Sequence, residues 1–313
     1  MNLEWTSHIK NCAKSLGFFA CGVAKAEILS EDKIHYENYL KRGDFGEMDY
    51  LARNPEKRLN PALILENAKS VIVVLWDYSN YETSISPAGG GQGGGKIAKY
   101  ACGEDYHEVI KPKLTQLEDE IRKLFPKCNM RSFVDASPIL EKAWAVKAGL
   151  GFRGKNTLLI NPEIGSYCNT GVILLDQELT YDTPLEITCN ECSLCLENCP
   201  TGALENSYQL NARKCISYHN KGKERTTTVD FHGWAYGCDE CQICCPYNRR
   251  GVSHTLSIEL NTIANKGRVS KIYDNVIANV VKQSKSMDCF GTLCLAMTLL
   301  LAFETVPLHE SRK

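Results

Sequence analysis

Nine of the sixteen cysteines fall between Cys189 and Cys245, and their spacing is ordered. The run Cys189-x2-Cys192-x2-Cys195-x3-Cys199-Pro200 is followed by Cys215 and then by Cys238-x2-Cys241-x3-Cys245-Pro246. A Cys-x2-Cys-x2-Cys loop wraps three thiolates around one face of an iron–sulfur cube, and the fourth cysteine, followed by proline, points to a second cube. Applied twice, this spacing assigns Cys189, Cys192, Cys195 and Cys245 to one [4Fe-4S] cluster and Cys199, Cys215, Cys238 and Cys241 to the other. Paired structural zinc sites are the competing reading, but zinc needs neither the third cysteine two residues on nor the Cys-Pro close. Cys244 is an extra thiol inside the second motif; Cys245 is preferred as ligand because it keeps the spacing and the proline. Cys12, Cys21, Cys102, Cys128, Cys168, Cys289 and Cys294 are scattered, and small buried apolar side chains are their default role.

The rest of the 313 residues must position that chemistry. With 36 Lys+Arg against 37 Asp+Glu, the chain is no basic nucleic-acid coat, so a polyanionic partner has to be met by a local patch. Mean hydropathy is -0.26 and no apolar run approaches bilayer length, so no membrane span is expected. The N-terminus lacks the order of regions of a signal peptide and reads as an amphipathic helix leading into a strand. A cytoplasmic location follows as an expectation, with thiols kept for metal or catalysis rather than disulfides.

Residues 1–185 read as mixed α and β, 186–250 as a ferredoxin-like module and 251–313 as a helical tail, an α+β (mixed α/β) chain overall. Ser70 to Trp76 is a continuous apolar run, as for a strand buried on both faces. It leads into a segment with six glycines between Pro87 and Lys96, which reads as a mobile loop because the spacing of a phosphate loop is missing. Asp105 to Phe125 is expected to be an amphipathic helix with Val109, Leu114, Leu117, Ile121 and Leu124 on one face. A strand from Met130 to Ala136 then meets Ser137-Pro138, a cap and first-turn proline for a helix from Ile139 to Ala148 closed by Gly149. Asp135 thus stands where a strand gives way to a helix, a place where ligands gather in α/β sheets; the plainer role is that of a helix cap. Gly149 to Thr157 places three glycines and two cations before strands at Leu158 to Asn161 and Gly171 to Asp176, which suits something anionic or bulky. In the tail, Asn275 to Val281 and Phe290 to Phe303 are expected helices.

Two clusters form an electron wire, and a wire ends at a site of chemistry or at another protein. The long segment ahead of the cysteines exceeds what a bare electron carrier needs, yet it has no GxGxxG for a flavin or nicotinamide. The stretch Val134 to Thr157, VDASPILEKAWAVKAGLGFRGKNT, together with Gly103-x-Asp105-Tyr106-His107, the CPTGAL after the first cysteine run, Cys215-Ile216-Ser217-Tyr218 and Tyr236 to Asn248, resembles the epoxyqueuosine reductase family. The likeness covers roughly residues 1–250.

The resemblance implies a cobalamin-dependent iron–sulfur reductase that removes the epoxide oxygen of epoxyqueuosine at the wobble position of tRNA, the last step of queuosine synthesis. Electrons pass through the two [4Fe-4S] clusters to a cobalamin that takes no axial base from the protein. By resemblance Asp135 is the general acid, expected to be partly buried so that burial raises its pKa. Arg58, Asp135, Lys155, Asn156 and Ser217 fall at cobalamin-contacting positions, with Tyr106 and His107 as weaker candidates. The implied partners are a queuosine-type tRNA anticodon loop and an electron donor such as flavodoxin or ferredoxin, with a monomer expected. Arg213, Lys214, Lys221, Lys223, Arg225, Arg249 and Arg250 form the best local patch for tRNA. Many family members continue into a HEAT-like helical repeat; residues 251–313 do not align with it, which suggests a shorter form that grips tRNA with its core. Competing readings are a cobalamin-dependent reductive dehalogenase of small organohalides, which usually carries a twin-arginine signal, and a ferredoxin-like electron carrier.

Overall fold

The apolar run from Ser70 organises the molecule. In the computed structural model, which describes residues 2–83, 95–135, 137–221 and 227–248, residues 70 to 75 are all buried. The chain enters through helix α1 (Asn2–Ser15) and strand β1 (Ala20–Lys25), then α2 (Ser30–Arg42) and α3 (Pro55–Leu59), before β2 (Ser70–Asp77). A short β3 (Lys96–Ile97), α4 (Tyr106–Leu124), β4 (Met130–Phe133) and α5 (Glu141–Lys147) follow. A hairpin of β5 (Phe152–Arg153) and β6 (Leu159–Ile160) leads into the long β7 (Cys168–Leu175).

The main sheet has the order β1-β2-β7-β4, and every neighbouring pair is antiparallel. Alternation along β2 sends Val71, Val73 and Leu75 to one face, against Trp144 and Ala145 of α5, and Ile72 and Val74 to the other, against Ile9 of α1 and Leu114 and Leu117 of α4. Both faces are therefore covered, which is why β2 needs an unbroken apolar sequence. Among the described residues no helix is long and apolar enough to cross a membrane.

Several boundaries differ from the sequence reading. The buried stripe of α4 uses Ile110 rather than Val109, with Leu114, Leu117 and Ile121. The strand expected to reach Ala136 stops at Phe133, because Asp135 adopts a left-handed φ of 54° that an extended strand cannot hold. The following helix begins at Glu141, not Ile139, with Leu140 at its N-cap and no side-chain cap from Ser137. Gly149 does close it, with φ 69°. The glycine-rich loop over 84–94 and the whole tail from 249, including the two expected helices, lie outside the described residues.

The cysteine-rich segment contains only short elements: α6 (Leu194–Glu197), α7 (Ile216–His219), β8 (Trp234–Tyr236) and α8 (Glu240–Ile243). It is stitched to the preceding residues within one compact unit that falls inside Met1–His254. β8 pairs in parallel with β3, the Lys99 N–H donates to Asp239 Oδ2 (2.7 Å), and the Ser166 hydroxyl donates to Gln242 Oε1 (2.9 Å). At Gly165 the backbone has φ +69° and any Cβ would lie 1.8 Å from Asn248 Oδ1, so only glycine permits this seam.

Candidate active site and cysteine module

The thiols neighbour one another in the two sets read from the spacing: Cys189 and Cys192 act on both Cys195 and Cys245, a first group, and Cys215 is the common neighbour of Cys199, Cys238 and Cys241, a second. Cys245 is buried with Phe152 and Ile160, and Cys189 and Tyr247 pack against it. Cys195 and Cys244 are buried with Leu204, flanked by Cys199 and Cys241. Burial, then the neighbouring thiols, pushes Cys195 and Cys245 up to about 12; the thiols acting on Cys245 are Cys189, Cys192 and Cys244. Cys241 is pushed well above the usual thiol range by burial and then by Cys215 and Cys238. Neutral thiols crowded this way become thiolates only when a cation compensates them.

Backbone N–H groups are already aimed at the sulfurs. That of Lys155 lies 3.4 Å from Cys189 Sγ, and others come from Ser217 and Tyr218 to Cys215, from Glu240 to Cys238 and from Tyr247 to Cys245. Such donors stabilise thiolate charge and tune the potential of an iron–sulfur centre, so the donor set fits two four-cysteine clusters. Cys244 sits between the two groups, beside Cys195 and Cys241, whereas Cys245 shares its nest with Cys189.

A cavity of about 750 Å³ lies beside the second group. Cys199, Cys215, Cys238 and Cys241 line it; Cys189, Cys192, Cys195 and Cys245 do not. Asp135 lines the same cavity. Its Oδ2 accepts a hydrogen bond from the Tyr106 hydroxyl (2.7 Å), and its own N–H donates to Glu141 Oε1 (2.7 Å). The Thr170 hydroxyl donates to Glu141 Oε2 (2.8 Å). Asp135 is exposed, not partly buried as the sequence reading expected, because its left-handed loop carries it off the end of β4 into the open cavity. It does not cap α5 either.

The burial expected at Asp135 falls instead on Glu141, whose carboxyl is pushed up to about 7 by desolvation against the opposing bonds from Thr170 and the Asp135 N–H. Lys142 and Lys221 also line the cavity, and desolvation lowers the pKa of both ammonium groups. Lys142 is exposed at the cavity that it lines, where surrounding protein still desolvates its ammonium. Lys221 stands 4.4 Å from the centre of the Tyr100 ring.

The other expected contacts are placed unevenly. Asn156 is buried on the cavity wall, its amide donating to the Cys241 carbonyl (3.1 Å), and Ser217 lines the cavity. Lys155 does not line it; its ammonium donates to the Asn190 carbonyl (2.7 Å) on the cysteine side. Arg58 does not line it either. It is buried behind Tyr50, donating from Nη2 to the Tyr50 carbonyl (2.8 Å) while its Nε has no partner among the described residues. His107 pairs with the helix cap Asp105 through Nδ1 (2.7 Å). Cys102 points to the carbonyls of Ile97 and Ala98 and does not line the cavity, whereas Cys168, read as a small buried apolar side chain, does.

The proposed cationic patch is redistributed. Lys214 pairs with Glu205 and Lys221 turns into the cavity, while Lys223, Arg225, Arg249 and Arg250 lie outside the described residues. Sequence reasoning missed Glu141, Lys142 and Thr170. The first two sit in the motif, but a glutamate in a first helical turn reads as a dipole partner, and only the fold brings Thr170 of β7 to it. A further ligand-like grouping, His8, Cys12 and Glu120, joins α1 to α4 away from the cavity lining, and Glu120 is held by Lys123 (2.7 Å).

Residues 58–136 match the family model for epoxyqueuosine reductase QueG, DUF1730, and residues 188–248 match the 4Fe-4S double cluster binding domain, which spans all eight assigned cysteines. An epoxyqueuosine reductase of Cellulophaga algicola is 40% identical over 251 residues, covering 79% of this chain and 80% of that protein. The solved epoxyqueuosine reductase of Streptococcus thermophilus superposes with a TM-score of 0.71 at 32% identity, covering 80% of this chain and 67% of that one. An epoxyqueuosine reductase solved with an epoxyqueuosine-modified tRNA stem loop gives 0.70 at 32% identity, covering 78% of this chain and 65% of that one. A catabolic reductive dehalogenase, at 17% identity and a TM-score of 0.56 over 83% of this chain and 35% of that one, shares the fold alone.

Proposed function

The chain belongs to the epoxyqueuosine reductase family of oxidoreductases, and we propose that it reduces epoxyqueuosine in tRNA to queuosine, consuming two electrons and two protons and releasing the epoxide oxygen as water. The observation that carries this reading is the shared cavity: one hollow is lined both by Asp135 and by the second cysteine group. A proton source and the delivery end of an electron path thus meet at one place. The first group, away from the lining, is the entry side for electrons from a donor such as flavodoxin or ferredoxin.

Cobalamin is the proposed occupant of the cavity. Its rim of amide side chains suits the donors that Lys142, Lys221, Ser217 and Thr157 present. Bound there, it would supply two-electron reducing power at a single metal centre, which no side chain offers. The protein's own part is orientation and protons. The Asp135 carboxyl is placed to donate a proton to the epoxide oxygen as the carbon–oxygen bond opens, and the Tyr106 hydroxyl fixes the rotamer from which it does so. Asn156 ties the cavity wall to the Cys241 carbonyl, which holds the acid side and the redox side in register. Arg58 reaches this site only by supporting Tyr50. The substrate assignment draws on the relative solved with a modified tRNA stem loop; Arg213 is the described cation left for the phosphates. A monomer in the cytoplasm remains part of the proposal.

The test is anaerobic turnover of tRNA bearing epoxyqueuosine with reconstituted clusters and a chemical reductant, with and without cobalamin, read by nucleoside mass spectrometry. Loss of one oxygen only when cobalamin is present supports the reading. An unchanged nucleoside with clusters and corrinoid both bound sinks it, and reduction of an organohalide in its place would favour the dehalogenase reading.

A further inference from the structure

The loop that carries Asp135 takes a left-handed turn, at φ 54°, that aspartate tolerates better than most residues but that its own side chain does not fix, since that carboxylate is engaged by Tyr106. What holds it is a carboxylate on another element. Glu141, at the start of α5, accepts the Asp135 N–H at 2.7 Å through Oε1, and through Oε2 accepts the Thr170 hydroxyl of β7 at 2.8 Å. The peptide that turns Asp135 into the cavity is thereby anchored to the central sheet. With the backbone so held, the Asp135 carboxylate meets the Tyr106 hydroxyl at 2.7 Å.

We propose that Glu141 is a positioning residue: it clamps the Asp135 peptide in the left-handed conformation and so aims the acid at the reacting oxygen. The inference rests on the reading of Asp135 as the proton donor. Glu141 touches neither the cysteines nor the Asp135 carboxylate through the hydrogen bonds it makes; its partners are a backbone N–H and a threonine hydroxyl. Both of its oxygens are occupied, which fixes its rotamer and makes it a rigid strut. A lost clamp frees the loop to relax to negative φ, which swings the carboxyl away from Tyr106 without disturbing either the sheet or the cysteine groups. A displacement on that scale in a near-attack geometry costs about a hundredfold in rate.

The experiment compares wild type, Glu141→Ala, Glu141→Gln and Thr170→Val in the cluster- and cobalamin-loaded full chain. Amide exchange of the peptide containing Asp135 is measured beside single-turnover rate, KM for modified tRNA, iron content and bound corrinoid. Glu141→Ala should speed exchange at Asp135 about tenfold and lower the chemical rate about a hundredfold, with KM, iron and corrinoid unchanged. Glu141→Gln keeps an oxygen that accepts the Asp135 N–H and should recover to within about fivefold of wild type, with Thr170→Val similar. Unaltered exchange in Glu141→Ala, or faster exchange with an unaltered rate, overturns the clamp. Equal loss in the alanine and glutamine variants overturns it in favour of a role for the charge. If wild type itself fails to act on modified tRNA, the proposed function falls, while the exchange data still decide whether Glu141 holds the loop.

Discussion

The antiparallel sheet and the cysteine-rich segment are neighbours held together by different forces. The sheet buries six consecutive residues of β2 and packs apolar side chains on both faces. Each buried Val, Leu or Ile there contributes about 1.5–3 kcal/mol, and the strands interlock through long-range pairing. The cysteine segment has helices of four residues, far below the length at which a helix persists alone; its own nest buries only Cys195, Leu204 and Cys244, and Cys245 is buried against Phe152 and Ile160 of the preceding hairpin. One region brings its own core; the other has thiols where a core would be, so its order is expected to depend on metal binding. The cavity lies where the two meet, lined by Asp135 from the loop after β4 on one side and by Cys199, Cys215, Cys238 and Cys241 on the other.

Removing iron should test that contrast most severely. Chelation under reducing conditions is expected to raise amide exchange in residues 189–245 by about a thousandfold or more, while β2 and β7 stay protected; melting of the strands along with the cysteine segment would erase the distinction. On the proposed acid role, Asp135→Asn should slow single-turnover reduction about 10²–10⁴-fold with iron content unchanged. Ile72→Ala, on the opposite side of the ledger, should cost about 2–5 kcal/mol in urea unfolding while the iron per folded chain holds constant. The smallest effect concerns pH. Glu141 has its pKa raised from 4.5 to about 7, so folding favours its protonated form. Its stabilising contribution is complete below pH 4.5 and is lost as pH rises through about 7. Glu141→Gln should therefore flatten the fall in unfolding free energy across that window, and an unchanged slope would show that Glu141 is better solvated than its surroundings suggest.

Much of this was legible in the linear order of residues. Cysteine spacing is a local constraint, since a loop that wraps three thiolates about one face of a cluster must place them within a few residues, and the apolar run of β2 announces a strand covered on both faces. The helix Asp105 to Phe125 appeared within one residue at each end, because Asp105 caps it and its apolar period is strong. Asp135 could be singled out from the motif it belongs to, but its exposure could not: burial depends on how far the left-handed loop lifts it from β4. The cations of the 213–225 run looked alike in sequence, yet Lys214 is spent on Glu205 and Lys221 faces the cavity.

The sequence by itself determined the eight-cysteine module, because its ligands are written in residue type and short spacing, and it pointed to Asp135 through the family motif around it. Only the tertiary structure decided which cysteine group faces the cavity, that Lys155 and Arg58 stand outside its lining, and that Glu141 joins Asp135 to Thr170 across 35 positions of chain from 135 to 170. These are long-range facts. They follow from how β7 is inserted between β2 and β4, an outcome of packing both faces of one sheet, which no local pattern of residues encodes.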